Sequence, residues 1–168
     1  PRYLPIGTRP AVRRLREGVP DVAVLAGPLA REPDGTELTA FERDWGLIVP
    51  SGNPDGVTGV ETLVDRDLQF INRTTDSGLR TSLEAVVDDL ADGSERSRAD
   101  VVAAIDGFDL GLRAHESPAR KVQAGAADAG LGLRETAAKL DMGFVSLGTQ
   151  LVRVFALDDR LSKPGVSR

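Results

Sequence analysis

The residues best suited to chemistry lie in a polar stretch that runs from Asn72 to Arg80. Ser77 and Gly78 stand near its centre, and Arg73 precedes them. A helix that begins here would present unpaired backbone N–H groups and the positive end of its dipole, and glycine would let a ligand approach the backbone closely. Amide donors, a hydroxyl and guanidinium groups together predict a binding site for an anion.

A second set of donors is expected, because one helix start contributes only roughly 0.3–1 kcal/mol to an exposed anion and up to ~2 kcal/mol when partly buried. Thr8 begins another predicted helix and is the candidate across a cleft. His115, the single histidine, precedes a third helix start. The predicted ligand-binding residues are Thr8, Asn72, Arg73, Ser77, Gly78, Arg80 and His115.

Ordinary structural roles stay open for these residues. Ser77 or its neighbour Asp76 can simply cap a helix of any α/β protein, and Thr8 can do the same at its own helix. A lone histidine such as His115 is more often a surface or packing residue than a ligand contact. The pattern alone does not separate these roles from ligand binding.

Strand and helix patterns surround the polar stretch. Residues 68–71 form an apolar run of strand length, and Leu79, Leu83 and Val87 recur after it at helical spacing. Further apolar runs predict strands at 22–26, 45–49, 143–147 and 151–157, and the Pro-, Gly- and charge-rich segment 27–44 is predicted to be a loop. Strands that alternate with short helices predict an α/β fold of mainly parallel sheets flanked by helices.

A pattern of helix, glycine, two residues, aspartate and strand occurs twice. Gly18 and Asp21 carry it in the first copy, and Gly125 and Asp128 carry it in the second. Glycine suits the end of a helix and aspartate suits a turn, so these four residues are assigned structural roles. The repeated pattern has two possible origins. It is either a chance recurrence of a common pattern or the result of two similar lobes that present helix starts to one crevice.

Composition narrows the classes of function. The 168 residues include no cysteine and one histidine, which excludes disulfides, thiolate chemistry and a multi-histidine metal site. The net charge is -5 without a basic stripe, so direct contact with nucleic acid is not expected. No run approaches the roughly 20 apolar residues of a membrane span. Without a recognisable catalytic motif, the sequence favours a non-catalytic binding domain that needs no cofactor, and the lack of a visible signal peptide says little about its location.

Four motifs, taken in order, resemble a known family. They are Asn72-Arg73 with Ser77-Gly78-Leu79-Arg80, then Asp106-Gly107-Phe108, then His115, then the glycine-rich run from Gly125 to Gly132. The chain is similar to the type II periplasmic-binding-protein-like domain of cytoplasmic proteins, which is attached to molybdopterin-biosynthesis proteins or to molybdate-responsive regulators of transcription. The family has glycine where this chain has Asp76, a carboxylate that would weaken anion affinity unless it turns away to cap the helix.

The resemblance implies a two-lobed fold, with lobe one at 1–48 and 150–168, lobe two at 52–148, and a hinge near 49–51 and 148–150. Lobe one lacks the family's opening strand, which would lie upstream or come from a partner chain, as in a homodimer. Closure around a molybdate- or tungstate-like oxyanion would signal to an attached DNA-binding or cofactor-biosynthesis domain. Two alternatives stay open: part of a molybdenum-cofactor biosynthesis enzyme, and a degenerate interaction module.

Overall fold

The computed structural model describes residues 2–166 as a mixed α/β protein. Its helices are α1 (Thr8–Arg16), α2 (Val60–Asp65), α3 (Gly78–Asp92), α4 (Arg98–Ala104), α5 (Ser117–Gln123) and α6 (Arg134–Lys139). Its strands are β1 (Val22–Ala26), β2 (Thr36–Val49), β3 (Phe70–Arg73), β4 (Gly111–Leu112), β5 (Ala129–Leu133) and β6 (Gly143–Ala156). A short 3-10 helix, Asp158–Arg160, follows β6. The predicted α/β class with flanking helices is confirmed.

The strands of the described residues form one sheet in the order β1-β6-β2-β5-β3-β4. β5, β3 and β4 pair in parallel. The pairs β1–β6, β6–β2 and β2–β5 are antiparallel, so the expectation of mainly parallel pairing is wrong for this half of the sheet. The physical reason is that the last strand, β6, returns between β1 and β2, and local patterns cannot reveal such an insertion.

The two longest strands, β2 and β6, have 14 residues each and pair with each other along almost their whole length. The predicted loop at 27–44 is therefore a strand from Thr36 onward, and the two strands predicted at 143–147 and 151–157 are one. The first half of β2 is exposed, which explains its polar, loop-like sequence. The pairing register shifts between Trp45 and Gly46, opposite Gly148.

The hydrophobic core is divided into separate clusters. The largest cluster packs α2, α3 and α4 against one face of the sheet, with Leu47, Phe70 and Leu131 fully buried. A smaller cluster joins α1 to β1 and β6 through Leu15 and Leu25, at the opposite end of the strand order. Each end of the sheet thus has a core of its own, as expected for a two-lobed fold.

Helices cover both faces of the sheet at β2. Successive side chains of this strand point to opposite faces, and each face packs against different helices. Leu47 and Val49 belong to the cluster with α2, α3 and α4. Ile48, between them, packs with Ala119 of α5 and Ala137 of α6. The sheet at β2 and β5 is therefore sandwiched between two helical layers, and it forms a rigid base for the loops that follow the strands.

The unit formed by β3, a polar turn and α3 carries most of the predicted site. Ser77 is the N-cap of α3, and its hydroxyl accepts a hydrogen bond from the Leu79 N–H at 3.2 Å. Leu79, Leu83 and Val87 form the buried stripe of the helix. Because β3 and α3 are both anchored in the largest core, the turn between them has little freedom to move.

Candidate ligand-binding site

Arg73, the last residue of β3, is almost buried, with 8% of its surface exposed. Its Nε donates to the Leu112 carbonyl at 3.1 Å, and its Nη2 donates to the Arg113 carbonyl at 2.9 Å. Its Nη1 lies 3.0 Å from Nδ1 of His115. The guanidinium therefore ties the end of β3 to the segment after β4, and it brings together two residues that the sequence only suggested separately.

The contact with Arg73 fixes the tautomer of His115. A guanidinium can only donate, so Nδ1 of His115 must accept and the ring proton resides on Nε2. Burial of the ring lowers the pKa of His115 to about 4, and the nearby positive charges of Arg73 and Arg43 add to this shift. Near neutral pH, His115 is thus an uncharged hydrogen-bond donor through Nε2.

Arg43, on β2, joins this group although nothing in the sequence singled it out. Its Nε and Nη2 donate to Oε1 of Gln150 on β6, at 3.0 and 2.7 Å. Gln150 is 2% exposed, and its Nε2 donates to the Ser82 hydroxyl of α3 at 3.0 Å. The Ser82 hydroxyl in turn donates to the Gly78 carbonyl at 3.2 Å. A buried polar chain therefore connects the start of α3 to Arg43.

Arg43 and Arg73 carry positive charges that no ion pair neutralises within residues 2–166. Their nitrogen contacts are an amide oxygen, two carbonyl oxygens and a histidine nitrogen, none of which is a carboxylate. The pKa of each is lowered by the loss of hydration, and in Arg73 by the neighbouring charge of Arg43 as well. The two guanidinium groups therefore destabilise each other, and a nearby anion would relieve that cost.

A cavity of about 370 Å³ opens beside this cluster. Arg43 and His115 line it, and so do Phe41, Leu133 and Glu135. A smaller cavity of about 230 Å³ adjoins Arg73 and Arg80 on the side of β4. The first cavity thus offers guanidinium and imidazole donors to a bound molecule, together with an apolar wall.

Arg80 and Asn72 hold the loop before β4 and leave little bonding capacity for a ligand. Arg80 Nη1 donates to the Phe108 carbonyl at 2.9 Å, its Nε donates to Glu84 at 3.0 Å, and its guanidinium lies 4.2 Å from the centre of the Phe108 ring. The Asn72 amide also donates to the Phe108 carbonyl, at 2.8 Å. Both side chains therefore support the loop that leads to His115.

The starts of α1 and α3 lie against the same part of the chain. The Thr8 hydroxyl donates to the Ala26 carbonyl at 2.9 Å and accepts from the Ala26 N–H at 3.1 Å. Gly78 packs so closely on Ala26 that an added Cβ would lie 2.0 Å from its carbonyl oxygen. A Cβ on Gly7 would similarly lie 2.1 Å from the Asp76 carbonyl oxygen. The two helix starts thus meet through backbone contacts in this conformation, and the Thr8 and Ser77 hydroxyls are bonded within the chain.

A family model for the PBP superfamily domain matches residues 2–168. The chain belongs to this superfamily. Its similarity to the periplasmic-binding-protein-like domain, suggested by the four sequence motifs, is confirmed. No curated protein matches the sequence.

Solved structures of PBP-like proteins share the fold at low sequence identity. The effector-binding domain of QuiR in complex with shikimate has a TM-score of 0.69 and 12% identity, covering 96% of this chain and 73% of that one. The Synechocystis CcmR regulatory domain in complex with 2-PG has a TM-score of 0.65 and 16% identity, covering 94% and 72%. The sulfate-binding protein SubI from Mycobacterium tuberculosis has a TM-score of 0.54 and 13% identity, covering 75% and 48%. This PBP-like chain therefore spans about half the length of SubI and nearly three quarters of the two regulatory domains.

The four residues with predicted structural roles lie at the ends of elements. Gly18 and Gly125 follow α1 and α5 with positive φ angles of 68° and 72°. Asp128 precedes β5, and its carboxylate accepts from the Gln69 N–H at 2.7 Å, next to the start of β3. Asp21 precedes β1 and pairs with Lys163 at 2.6 Å. The two copies of the motif thus differ, because Asp128 bonds to the sheet backbone and Asp21 bonds to a surface lysine.

The described part of the chain has neither a metal-binding cluster nor a membrane-spanning helix. No group of three or more His, Asp or Glu side chains is arranged to hold a metal ion among residues 2–166. No helix within the same residues is long and apolar enough to cross a membrane.

Proposed function

We propose that this PBP-like chain is a small-anion-binding and sensing domain, and that the anion binds beside Arg43, Arg73 and His115. One observation carries the proposal: the partly buried guanidinium groups of Arg43 and Arg73 interact through their charges, and neither forms a salt bridge with a carboxylate among the described residues. A partly buried charge is costly unless it is paired. An anion in the cavity would supply the missing charge and accept charge-assisted hydrogen bonds.

The arrangement of donors supports an anion rather than a cation or a neutral molecule. Arg43 uses only its Nε and Nη2 on Gln150, so Nη1 is left to donate to a ligand. Nε2 of His115 carries the ring proton and is a second donor on the same cavity. A carboxylate or an oxyanion could accept from both. The structural relatives include a sulfate-binding protein and two regulatory domains in complex with shikimate and 2-PG, which supports a small ligand.

The sensing step of the proposal rests on the long strands. β2 and β6 run between the end of the sheet that carries α1 and the end that carries α3 and α4, and they are the route by which two lobes would move. The hinge expected near 49–51 and 148–150 is better proposed at 44–46 and 148–150, because the pairing register of β2 and β6 shifts between Trp45 and Gly46, opposite Gly148. Trp45 and Leu47 pack with the larger core, which favours ending lobe one before Trp45. An attached DNA-binding or cofactor-biosynthesis domain would receive the signal.

A thermal-shift screen tests the proposal. Molybdate, tungstate, sulfate, phosphate and the carboxylate isovalerate would each be added to the purified chain, and an anion at 100 times its Kd should stabilise it by about 2.7 kcal/mol. Molybdate and tungstate are included because the sequence motifs resemble those of molybdate-associated proteins.

Arg43→Gln is the decisive variant, with Arg31→Gln as its matched control. Arg31 is exposed and has no ion pair within residues 2–166, so its loss changes the net charge equally without touching the cavity. We expect Arg43→Gln to weaken the binding of the stabilising anion at least tenfold, the order of one hydrogen bond to a charged group. The proposal fails if no anion stabilises the chain, or if both variants lower the affinity equally.

A further inference from the structure

The cavity beside Arg43 and His115 also contains a carboxylate that forms no ion pair with the described residues. Glu135 lies in the first turn of α6, is exposed to solvent and lines the cavity. Its charge acts on both Arg43 and His115, yet it forms a salt bridge with neither. The cavity is therefore lined by a guanidinium group and by a carboxylate that form no salt bridge with each other.

Two further acidic residues line the cavity, Glu42 and Glu116, and Glu116 is already neutralised. Glu116 bonds to Lys139 through one carboxylate oxygen and to Arg120 through the other, the latter at 3.4 Å. Glu116 and Lys139 thus satisfy each other. Of the two remaining carboxylates, Glu135 is the one whose charge acts on both Arg43 and His115, so it is the acceptor that an ammonium group bound beside them would meet. A bare inorganic anion would gain from Arg43 but would be repelled by Glu135.

The cavity also has an apolar part, which Phe41 and Leu133 form. Phe41 is 53% exposed although it is a large aromatic residue, and Leu133 is 6% exposed beside it. The cavity volume of about 370 Å³ lies at the lower end of the range of roughly 300–1,000 Å³ that is typical of pockets for organic ligands. A tetrahedral oxyanion is much smaller, and it would leave the Phe41 ring in water.

We propose that the ligand of this cavity is a small α-amino acid with an apolar side chain. Its carboxylate would accept from Arg43 and from Nε2 of His115, its ammonium group would donate to Glu135, and its side chain would cover Phe41. The proposal rests on the proposed function, since it assigns a ligand class to the same site. It differs from that function by requiring a positive group on the ligand.

The test compares amino acids with the same acids lacking the amino group. L-valine, L-leucine and L-phenylalanine would be titrated by calorimetry against isovalerate, isocaproate and hydrocinnamate, with sulfate and molybdate as inorganic anions. We expect at least one amino acid to bind roughly tenfold more tightly than its amino-free counterpart, since one hydrogen bond to a charged group is gained.

Glu135→Gln should abolish this preference, because the amide lacks the negative charge that attracts the ammonium group. The same variant should bind the amino-free acid at least as well as the wild type does, because a repulsive charge has been removed. Glu95→Gln is the matched control, since Glu95 is exposed in the loop between α3 and α4. It should leave all affinities unchanged.

The outcomes separate the two proposals. The amino-acid proposal is overturned if the amino-free acids or the inorganic anions bind as tightly as the amino acids, or if Glu135→Gln leaves the preference intact. The proposed function survives either result as long as the bound anion depends on Arg43. If no compound in the panel binds at all, both proposals fail.

Discussion

At the scale of single residues, Gln150 determines the direction of Arg43. It is fully enclosed, accepts two hydrogen bonds from the guanidinium group and donates to Ser82. A buried amide in a strand is costly unless its polar atoms are satisfied, and here both ends of the amide are bonded. Gln150 therefore acts as a positioning residue for the proposed anion site, although it touches no ligand itself.

Replacing Gln150 by leucine should weaken anion binding and destabilise the chain. Gln150→Leu keeps an apolar strand residue but leaves Arg43 without its acceptor, so we expect the free energy of unfolding to fall by about 1–3 kcal/mol. Urea denaturation measures this loss. Gln123→Leu is the control: Gln123 is exposed at the end of α5, its two side-chain hydrogen bonds are 3.3 Å long and exposed, and its replacement should change the stability by less than ~0.5 kcal/mol. Equal losses of stability in both variants would show that the hydrogen bonds of Gln150 stabilise the chain no more than those of an exposed glutamine.

Sequence reasoning at the residue scale found only half of the cluster. Arg73 and His115 were predicted, because they stand in motifs that follow a strand and precede a helix. Arg43 was missed, since it lies in a charged segment that reads as a loop. Its approach to Arg73 depends on the pairing of β2 with β6 and β5, which is non-local. Gln150, a polar residue beside the apolar residues Leu151 and Val152 of β6, was an available signal.

At the scale of elements, the close contact between the start of α3 and β1 decides the conformation. Ser77, one of the two N-cap candidates in the sequence, caps α3, and the helix pattern of Leu79, Leu83 and Val87 is confirmed. The long strands were not predictable, because the exposed half of β2 has no alternation of apolar and polar residues. The contact of Gly78 with Ala26 could not be predicted from local sequence patterns either, because it joins segments that are distant in sequence.

Gly78→Ala should force the start of α3 away from β1. The added methyl group would lie 2.0 Å from the Ala26 carbonyl oxygen, and overpacking of this kind costs about 1–3 kcal/mol. Gly93→Ala, at the other end of α3, is the control, because its methyl group would meet no backbone atom closer than 3.3 Å. Chemical denaturation of both variants provides the comparison. A loss in Gly93→Ala as large as in Gly78→Ala would contradict the contact.

At the scale of the whole molecule, the core is divided while the sheet is continuous. One cluster lies around α1 and β1, and a larger one lies around α2, α3 and α4, with β2 and β6 running through both regions. The PBP superfamily membership and the division of the core agree with the two-lobed expectation from the sequence motifs. Neither the superfamily membership nor the divided core gives the position of the hinge, because a hinge is defined by the difference between two conformations.

The charges of the site couple anion binding to the protonation of His115. Its pKa, about 4 in the folded chain against an ordinary 6.5, means that the unfolded chain binds more protons between these values. The stabilising contribution of the neutral ring is therefore complete above pH 6.5 and is lost as the pH falls towards 4. An anion that offsets Arg43 and Arg73 should raise the pKa of His115, so that binding strengthens at mildly acidic pH.

The most direct test of the central claim is an NMR titration of His115, because it is the single histidine of the chain. The pKa would be measured without ligand and with the anion that most stabilises the protein in the screen. We expect a pKa of about 4 in the free chain and a clearly higher value when the anion is bound. An anion that stabilises the chain but leaves the pKa of His115 unchanged binds elsewhere, and that result would contradict the account.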